Sequence, residues 1–158
     1  MLNPGQKFDL RFLVEALDPV YGFAMRVNYD PLVLNVPVDM GGNAKTTIGT
    51  FLKPPGFYEA KLSPAGTQGT VSIGLAKTGP VGGDSGTDVL MSLEMQVNPV
   101  TENKETWIEF DQENSQIYYF DTAGKQIFLS SLLEGLDVVK VEVLSEWRVR
   151  VWLEINPK

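Results

Sequence analysis

The chain of 158 residues contains no cysteine and no histidine. Without cysteine it can form neither a disulfide framework nor a thiolate metal site. Without histidine it lacks both the commonest general base and the commonest transition-metal ligand. These absences make catalysis difficult to build. The sequence therefore predicts a protein that is not an enzyme, with no catalytic residues, no bound metal and no cofactor.

Two further absences limit the partners that we expect. The 13 basic residues are scattered along the chain, and the formal net charge is −7. A surface for nucleic acid or for an anionic membrane needs the opposite sign of charge, so neither is expected. The longest apolar runs are far shorter than the roughly 20 residues that span a bilayer, so membrane insertion is not expected. Met1 directly precedes a strand-like segment without a signal-like leader, which suggests a domain excised from a larger protein.

The pattern that is present is alternation of apolar and polar residues with a period of two. It runs from Gln6 to Glu15 and again from Gly22 to Tyr29, as in half-buried β-strands. The inward apolar positions of these two segments are Phe8, Leu10, Phe12, Val14, Phe23, Met25, Val27 and Tyr29. Further segments of this kind follow, with turn residues about every ten positions. The prediction is one all-β domain over residues 1–158, a jelly-roll β-sandwich of two antiparallel sheets.

That sandwich is expected to have about nine strands, followed by a C-terminal extension of two more strands over residues 136–158. Three roles are open for the extension. It can supply an edge strand to the sandwich, form an appended hairpin, or belong to a neighbouring module.

Several of these segments together resemble the cohesin domain. The segments that carry the resemblance are Pro4-Gly5-Gln6-Lys7-Phe8, Tyr29-Asp30-Pro31, Leu34, Gly41-Gly42, Gly69–Ala76 and Asp88–Val97. The first begins a strand, the Tyr-Asp-Pro motif ends the next one, and the last two are similar to the middle strands of that family. The resemblance covers residues 4 to about 130.

The resemblance implies a jelly-roll sandwich that binds a dockerin module on another protein and is not an enzyme. It also implies an extracellular or cell-surface location as part of a larger protein. A dockerin carries its own Ca²⁺, so a metal-dependent complex would not imply a metal in this chain. The same fold superfamily includes carbohydrate-binding modules, which leaves polysaccharide binding as an alternative function. An architectural spacer in a surface or secretion assembly is a third.

The candidate partner-binding surface is the side of the strands opposite the large apolar residues. If the strands around Arg26, Ser72 and Glu94 share a sheet, short side chains make its outer face flat, so that a partner helix can approach closely. In cohesins, polar residues on the strand before Tyr-Asp-Pro contact the dockerin. The predicted partner-binding residues are Ala24, Arg26, Asn28, Ser72, Gly74, Leu90 and Glu94, with Leu90 as an outward apolar anchor. Small residues are also common on an ordinary solvated face.

Carbohydrate binding would instead use aromatic side chains as a stacking platform. The candidates are Trp107 and Trp152, of which Trp152 lies opposite the apolar side of the last strand. An outward tryptophan is also common at protein interfaces. The loop from Gly82 to Asp88 matches no calcium-binding motif, and its Ser85 has no histidine to activate it.

Overall fold

The structure, a computed structural model, describes residues 2–52, 56–62, 69–78, 82–99, 106–111, 115–120, 126–130 and 149–158. The strands are β1 (Lys7–Tyr29), β2 (Leu34–Asn35), β3 (Thr46–Ile48), β4 (Phe57–Leu62), β5 (Gly69–Ala76), β6 (Asp84–Val97), β7 (Ile108–Phe110), β8 (Gln116–Phe120), β9 (Gln126–Ser130) and β10 (Val149–Pro157). In these ranges no helix is long and apolar enough to cross a membrane. The predicted all-β class is confirmed.

Strand β1 organises the molecule, because its two halves pair with different strands. The first half, from Lys7 to Ala16, lies between β6 and β10. The second half, from Val20 to Tyr29, has β5 along one edge and β7 and β8 along the other. Strands β2 and β3 extend the layer beyond β6, β4 extends the other layer beyond β5, and β9 follows β8. All pairings are antiparallel, and β1 joins the two layers into one curled sheet.

The alternation of β1 changes phase where the strand passes between the layers. Buried apolar positions are even-numbered as far as Val20 and odd-numbered from Phe23 onward. The pairing with β6 shifts register between Ala16 and Val20, as happens at a β-bulge. The change of phase keeps the large side chains of both halves turned toward the same interior. Two strands predicted separately are thus one bent strand of 23 residues.

Two aromatic contacts join the layers across this interior. Phe12, in the first half of β1, meets Phe110 of β7 edge to face, with ring centroids 6.1 Å apart. Phe23, in the second half, meets Phe51 in the same manner at 6.2 Å. Phe51 belongs to the opposite side, because its backbone N–H donates to the carbonyl of Val89 in β6. Edge-to-face pairs of this kind stabilise a core beyond the area that they bury.

Leu90 lies in this core, so the prediction that it faces outward is wrong. Phe12 pairs with Met91 and Leu13 pairs with Val89, which leaves Leu90 as the extra residue of a β-bulge in β6. Leu90 and Met91 are consecutive and both are fully buried, each at 0% exposure. A bulge interrupts the strict alternation on which the sequence argument depended. Leu90 is therefore a packing residue and cannot anchor a partner.

The last strand belongs to the sheet. β10 pairs with β1 from Phe8 to Ala16, along the edge that β6 does not occupy. Val151 and Leu153 of β10 are buried in the core. Three roles were left open for the C-terminal extension. The structure shows that β10 has one of them, since it is an edge strand of the sandwich. The rest of the extension, residues 136–148, lies outside the described residues.

Candidate partner-binding face

Three strands of one layer form an outward face with short side chains at its centre. In the register of these strands Ala24 of β1 lies opposite Gly74 of β5, and Arg26 lies opposite Ser72. Gly74 in turn lies opposite Glu59 of β4. The structure therefore brings four of the predicted residues, Ala24, Arg26, Ser72 and Gly74, together on one surface. We call the outward side of β4, β5 and the second half of β1 the docking face.

The two glycines near the centre of the docking face are closely packed against neighbouring atoms. A Cβ built on Gly74 would lie 2.9 Å from Cε1 of Phe57, so the phenyl ring of Phe57 rests over the Gly74 backbone. A Cβ built on Gly22 would lie 3.0 Å from the Cβ of Ala76. Larger side chains at these two positions would push against their neighbours, which explains why glycine occupies both.

Phe57 is an exposed apolar residue of the docking face that the sequence pattern did not predict. Its side chain is 50% exposed, at the start of β4. The next residue, Tyr58, packs against the core instead. Because two aromatic residues are adjacent there, alternation alone does not say which one faces outward. The contact with Gly74 decides it, and that contact depends on the pairing of β4 with β5.

Arg26 stands at the border of the docking face beside β7. Its Nη1 lies 3.8 Å from Oδ2 of Asp111, and its side chain is 40% exposed. Its backbone N–H donates to Oγ of Ser115 at 3.1 Å, and that hydroxyl donates to the carbonyl of Asp111 at 2.7 Å. The backbone N–H of Asp111 donates to the Arg26 carbonyl at 2.8 Å. The backbone of Arg26 is thus held through both its N–H and its carbonyl, while its guanidinium remains partly exposed.

Asn28 is on the same side of β1, but it is only 7% exposed. Its Oδ1 accepts a hydrogen bond of 2.9 Å from the hydroxyl of Thr70 in β5, and in register it lies opposite Glu109 of β7. The expectation of an exposed contact at Asn28 is therefore wrong. The side-chain amide of Asn28 links β1 to β5 and offers little exposed surface to a partner.

Glu94 belongs to the other layer, because β6 pairs with the first half of β1. In register it lies opposite Asp9, and its carboxylate contacts Nζ of Lys7 at 3.2 Å and Nζ of Lys158 at 3.1 Å. Lys158 also lies 2.8 Å from Oδ1 of Asp9. Glu94 was predicted to join Arg26 and Ser72 if their strands shared one outer face. The strands lie in different layers, so Glu94 is not on the docking face.

These contacts shift the acidity of two of the groups. The hydrogen bond from Lys158 is the main cause that holds the pKa of Glu94 below its usual value; burial opposes it, and the hydrogen bond and charge of Lys7 add smaller lowering effects. The pKa of Lys158 is raised, mainly by its hydrogen bonds to Asp9 and Glu94. Both groups remain charged near neutral pH, so this network ties β1, β6 and the end of β10 together.

The two tryptophans predicted for carbohydrate lie on different parts of the sheet. Trp107 immediately precedes β7, beside the end of the second half of β1, and is 43% exposed. Trp152 is in β10, in register with Leu13 in the first half of β1. Their role in carbohydrate binding stays a prediction. Among the residues with described positions, no group of acidic side chains has a geometry that could hold a metal ion.

Solved structures share this architecture, although no family model and no curated protein matches the sequence. A type II cohesin domain from the cellulosome of Acetivibrio cellulolyticus matches with a TM-score of 0.57 and 15% identity, over 82% of this chain and 83% of that one. A chain of a type II Cohesin-X-Dockerin complex from the same organism matches with a TM-score of 0.58 and 15% identity, over 80% and 84%.

A third match, type II cohesin A11 from Bacteroides cellulosolvens, has a TM-score of 0.53 and 16% identity, over 80% of this chain and 84% of that one. The fold of the chain is thus that of a cohesin domain, as the sequence resemblance predicted. The particular solved structures that share it include type II cohesins from two bacteria.

Proposed function

We propose that the chain is a non-catalytic protein-interaction module that binds a dockerin-type partner through its docking face. The observation that carries the proposal is the shape of this face. Ala24 and Ser72 present short side chains, the half-exposed ring of Phe57 lies over neighbouring Gly74, and the guanidinium of Arg26 stands at the border. An apolar contact and a charged group beside a flat centre are what a docked helix needs for affinity and orientation.

The dimensions of the face suit one helix. Neighbouring strands lie about 4.8 Å apart, so three strands span about 10 Å. The diameter of an α-helix with its side chains is about 10 to 12 Å. A helix lying on β5 would reach Phe57 of β4 and Arg26 of β1 together, and the small residues Ser72 and Gly74 of β5 allow close approach.

The shared fold supports the same partner class, because one of the matched structures is a complex that contains a dockerin. For the same reason we propose that the chain acts outside the cell or at its surface, as one part of a larger protein. The acidic net charge of −7 agrees with a soluble module that does not bind anionic polymers.

Calorimetric titration tests the proposal. Calcium-loaded dockerins, including a type II module, are titrated into the wild type, into Ala24→Lys and into the control Ser92→Lys. Ser92 is a small, partly exposed residue of β6 in the other layer. We expect saturable binding of at least one dockerin, lost by more than about 100-fold in Ala24→Lys, since a long charged side chain at the centre holds a helix away. Ser92→Lys should bind like the wild type.

Two results would refute the proposal. One is the absence of saturable binding by every dockerin tested. The other is an equal loss of affinity in Ala24→Lys and Ser92→Lys, which would show that the docking face has no special part in the complex.

A further inference from the structure

A hairpin projects from the edge of the sheet between β2 and β3. Both strands pair with β6, Leu34 with Val97 and Thr46 with Leu93. Twelve positions separate Leu34 from Thr46 along the chain, but only four separate their partners on β6. The eight additional residues therefore cannot pair along the edge of β6 and form the projection. We call the segment from Pro37 to Lys45 the finger.

The finger is braced by its own hydrogen bonds. The Oδ1 atom of Asp39 accepts from the backbone N–H of Gly41 at 2.8 Å and from that of Asn43 at 2.9 Å. The N–H of Asp39 donates to the Asn43 carbonyl at 2.8 Å, and Gly42 adopts a φ of +79°, which favours glycine. The hydrogen bonds, chiefly that from Asn43, lower the pKa of Asp39, so it is charged near neutral pH. The tip is therefore held in one conformation.

This rigid tip presents an apolar side chain to water. Met40 is fully exposed, at 108%, and nearby Val38 is exposed at 47%. Single exposed apolar residues are ordinary on protein surfaces. Met40 differs because the loop that carries it is already ordered, so a partner that buries it has little conformational entropy to remove from the finger.

The finger is continuous with the docking face. The N–H of Ala44 donates to the carbonyl of Ala60 in β4 at 3.1 Å. A groove of about 400 Å³ runs along this junction, lined by Asp39, Asn43, Ala44, Lys45, Thr46, Tyr58, Glu59 and Ala60. Glu59 is also the residue of β4 that lies opposite Gly74. Burial, and secondly the charge of Asp39, raises the pKa of Tyr58 to about 12, so the groove holds a neutral phenol.

We propose that the partner on the docking face extends over β4 and the groove and receives Met40 in an apolar pocket of its own. The finger then selects among partners of one class, since only a partner with that pocket gains the contact. The inference rests on the proposed function, and the occupant is the same dockerin-type protein, because Glu59 both lines the groove and lies opposite Gly74 on the docking face.

The test compares Met40→Asn with Leu32→Asn, titrated with the dockerin that binds the wild type most tightly. Leu32 is a matched control: it is 77% exposed, and its N–H donates to the carboxylate of Asp30 in a turn of similar construction. We expect Met40→Asn to weaken binding about tenfold, and Leu32→Asn by less than about twofold. The melting temperature of each variant confirms that it is folded.

A second pair of variants tests the bracing of the finger. Asp39→Ala removes the acceptor for Gly41 and Asn43, whereas Asp39→Asn keeps an oxygen in that place. Affinity should fall about threefold or more in the first variant and recover in the second, because a loosened tip must be ordered again on binding.

Unchanged affinity in Met40→Asn, or an equal loss in Leu32→Asn, overturns the inference about the finger. If Ala24→Lys still abolishes binding in that case, the proposed function stands alone. If no dockerin binds the wild type, the proposed function fails and this inference fails with it.

Discussion

At the scale of single residues, the neighbouring side chains determine which positions of the docking face must be glycine. The ring of Phe57 lies over Gly74, and Gly22 is closely packed against Ala76. The flat centre is therefore a consequence of packing as well as a feature suited to a partner. Phe57 keeps half of its surface exposed in this arrangement. The glycine thus positions the apolar residue on which the proposed interface depends.

Leu90 gives a prediction at this scale. Replacing a fully buried leucine by alanine removes packing atoms and leaves a cavity, so Leu90→Ala should lower the free energy of unfolding by about 2 to 5 kcal/mol. Leu32→Ala, in an exposed turn, should change it by less than about 0.5 kcal/mol. Urea denaturation measures both. Similar small effects in the two variants would show that Leu90 is not in the core.

The position of Leu90 also shows where reasoning from the sequence ends at this scale. Alternation predicts a side for each residue only while the pairing keeps its register. The bulge places Leu90 and Met91 on the buried side together, and it exists because of how β6 meets β1 near Phe12. Phe12 and Met91 are almost eighty positions apart, so their pairing cannot be read from the local sequence pattern.

At the scale of elements, β1 carries both layers and β10 fixes one edge. The apolar positions predicted for the two halves of β1 are confirmed as buried, because alternation is a local property. The joining of these halves was not predicted, since Pro19 lies between them and proline usually ends a strand. The pairing of β10 with β1 was one of three roles left open for the C-terminal extension, because the choice among them depends on tertiary structure. Ion pairs of Lys7, Glu94, Lys158 and Asp9 hold these strands together.

This network predicts a dependence of stability on pH. The pKa of Glu94 is lowered in the folded chain, so its contribution is complete above the unfolded value, near 4.3, and is lost as pH falls through the folded value. The pKa of Lys158 is raised, so its contribution is complete below about 10.4 and is lost as pH rises through the folded value.

Thermal unfolding of Glu94→Gln from pH 3 to pH 7 at low salt tests this dependence. Near pH 7 its melting temperature should lie about 2 °C or less below that of the wild type, because partly exposed ion pairs contribute little. The difference should shrink toward zero below about pH 4. Glu109→Gln, which removes an exposed carboxylate on β7, is the control. A difference that stays constant across the range would contradict the assignment.

At the scale of the whole molecule, the fold could be predicted and the site only in part. The Tyr29-Asp30-Pro31 motif and the order of segments indicated the cohesin fold, although sequence identity to the matched cohesins is only 15 to 16%. Four of seven proposed partner-binding residues lie together and partly exposed on the docking face, where Asn28 is buried. Glu94 fell on the other layer, because alternation says which side of a strand a residue takes but not which layer the strand joins.

Hydrogen–deuterium exchange of the chain, alone and saturated with a bound dockerin, tests the central claim most directly. We predict slower exchange in β4, β5 and the segment from Gly22 to Tyr29, with little change in β10 and in β6 from Ser92 to Val97. Slower exchange confined to β10, β6 and the first half of β1 would place the partner on the opposite layer and contradict the account.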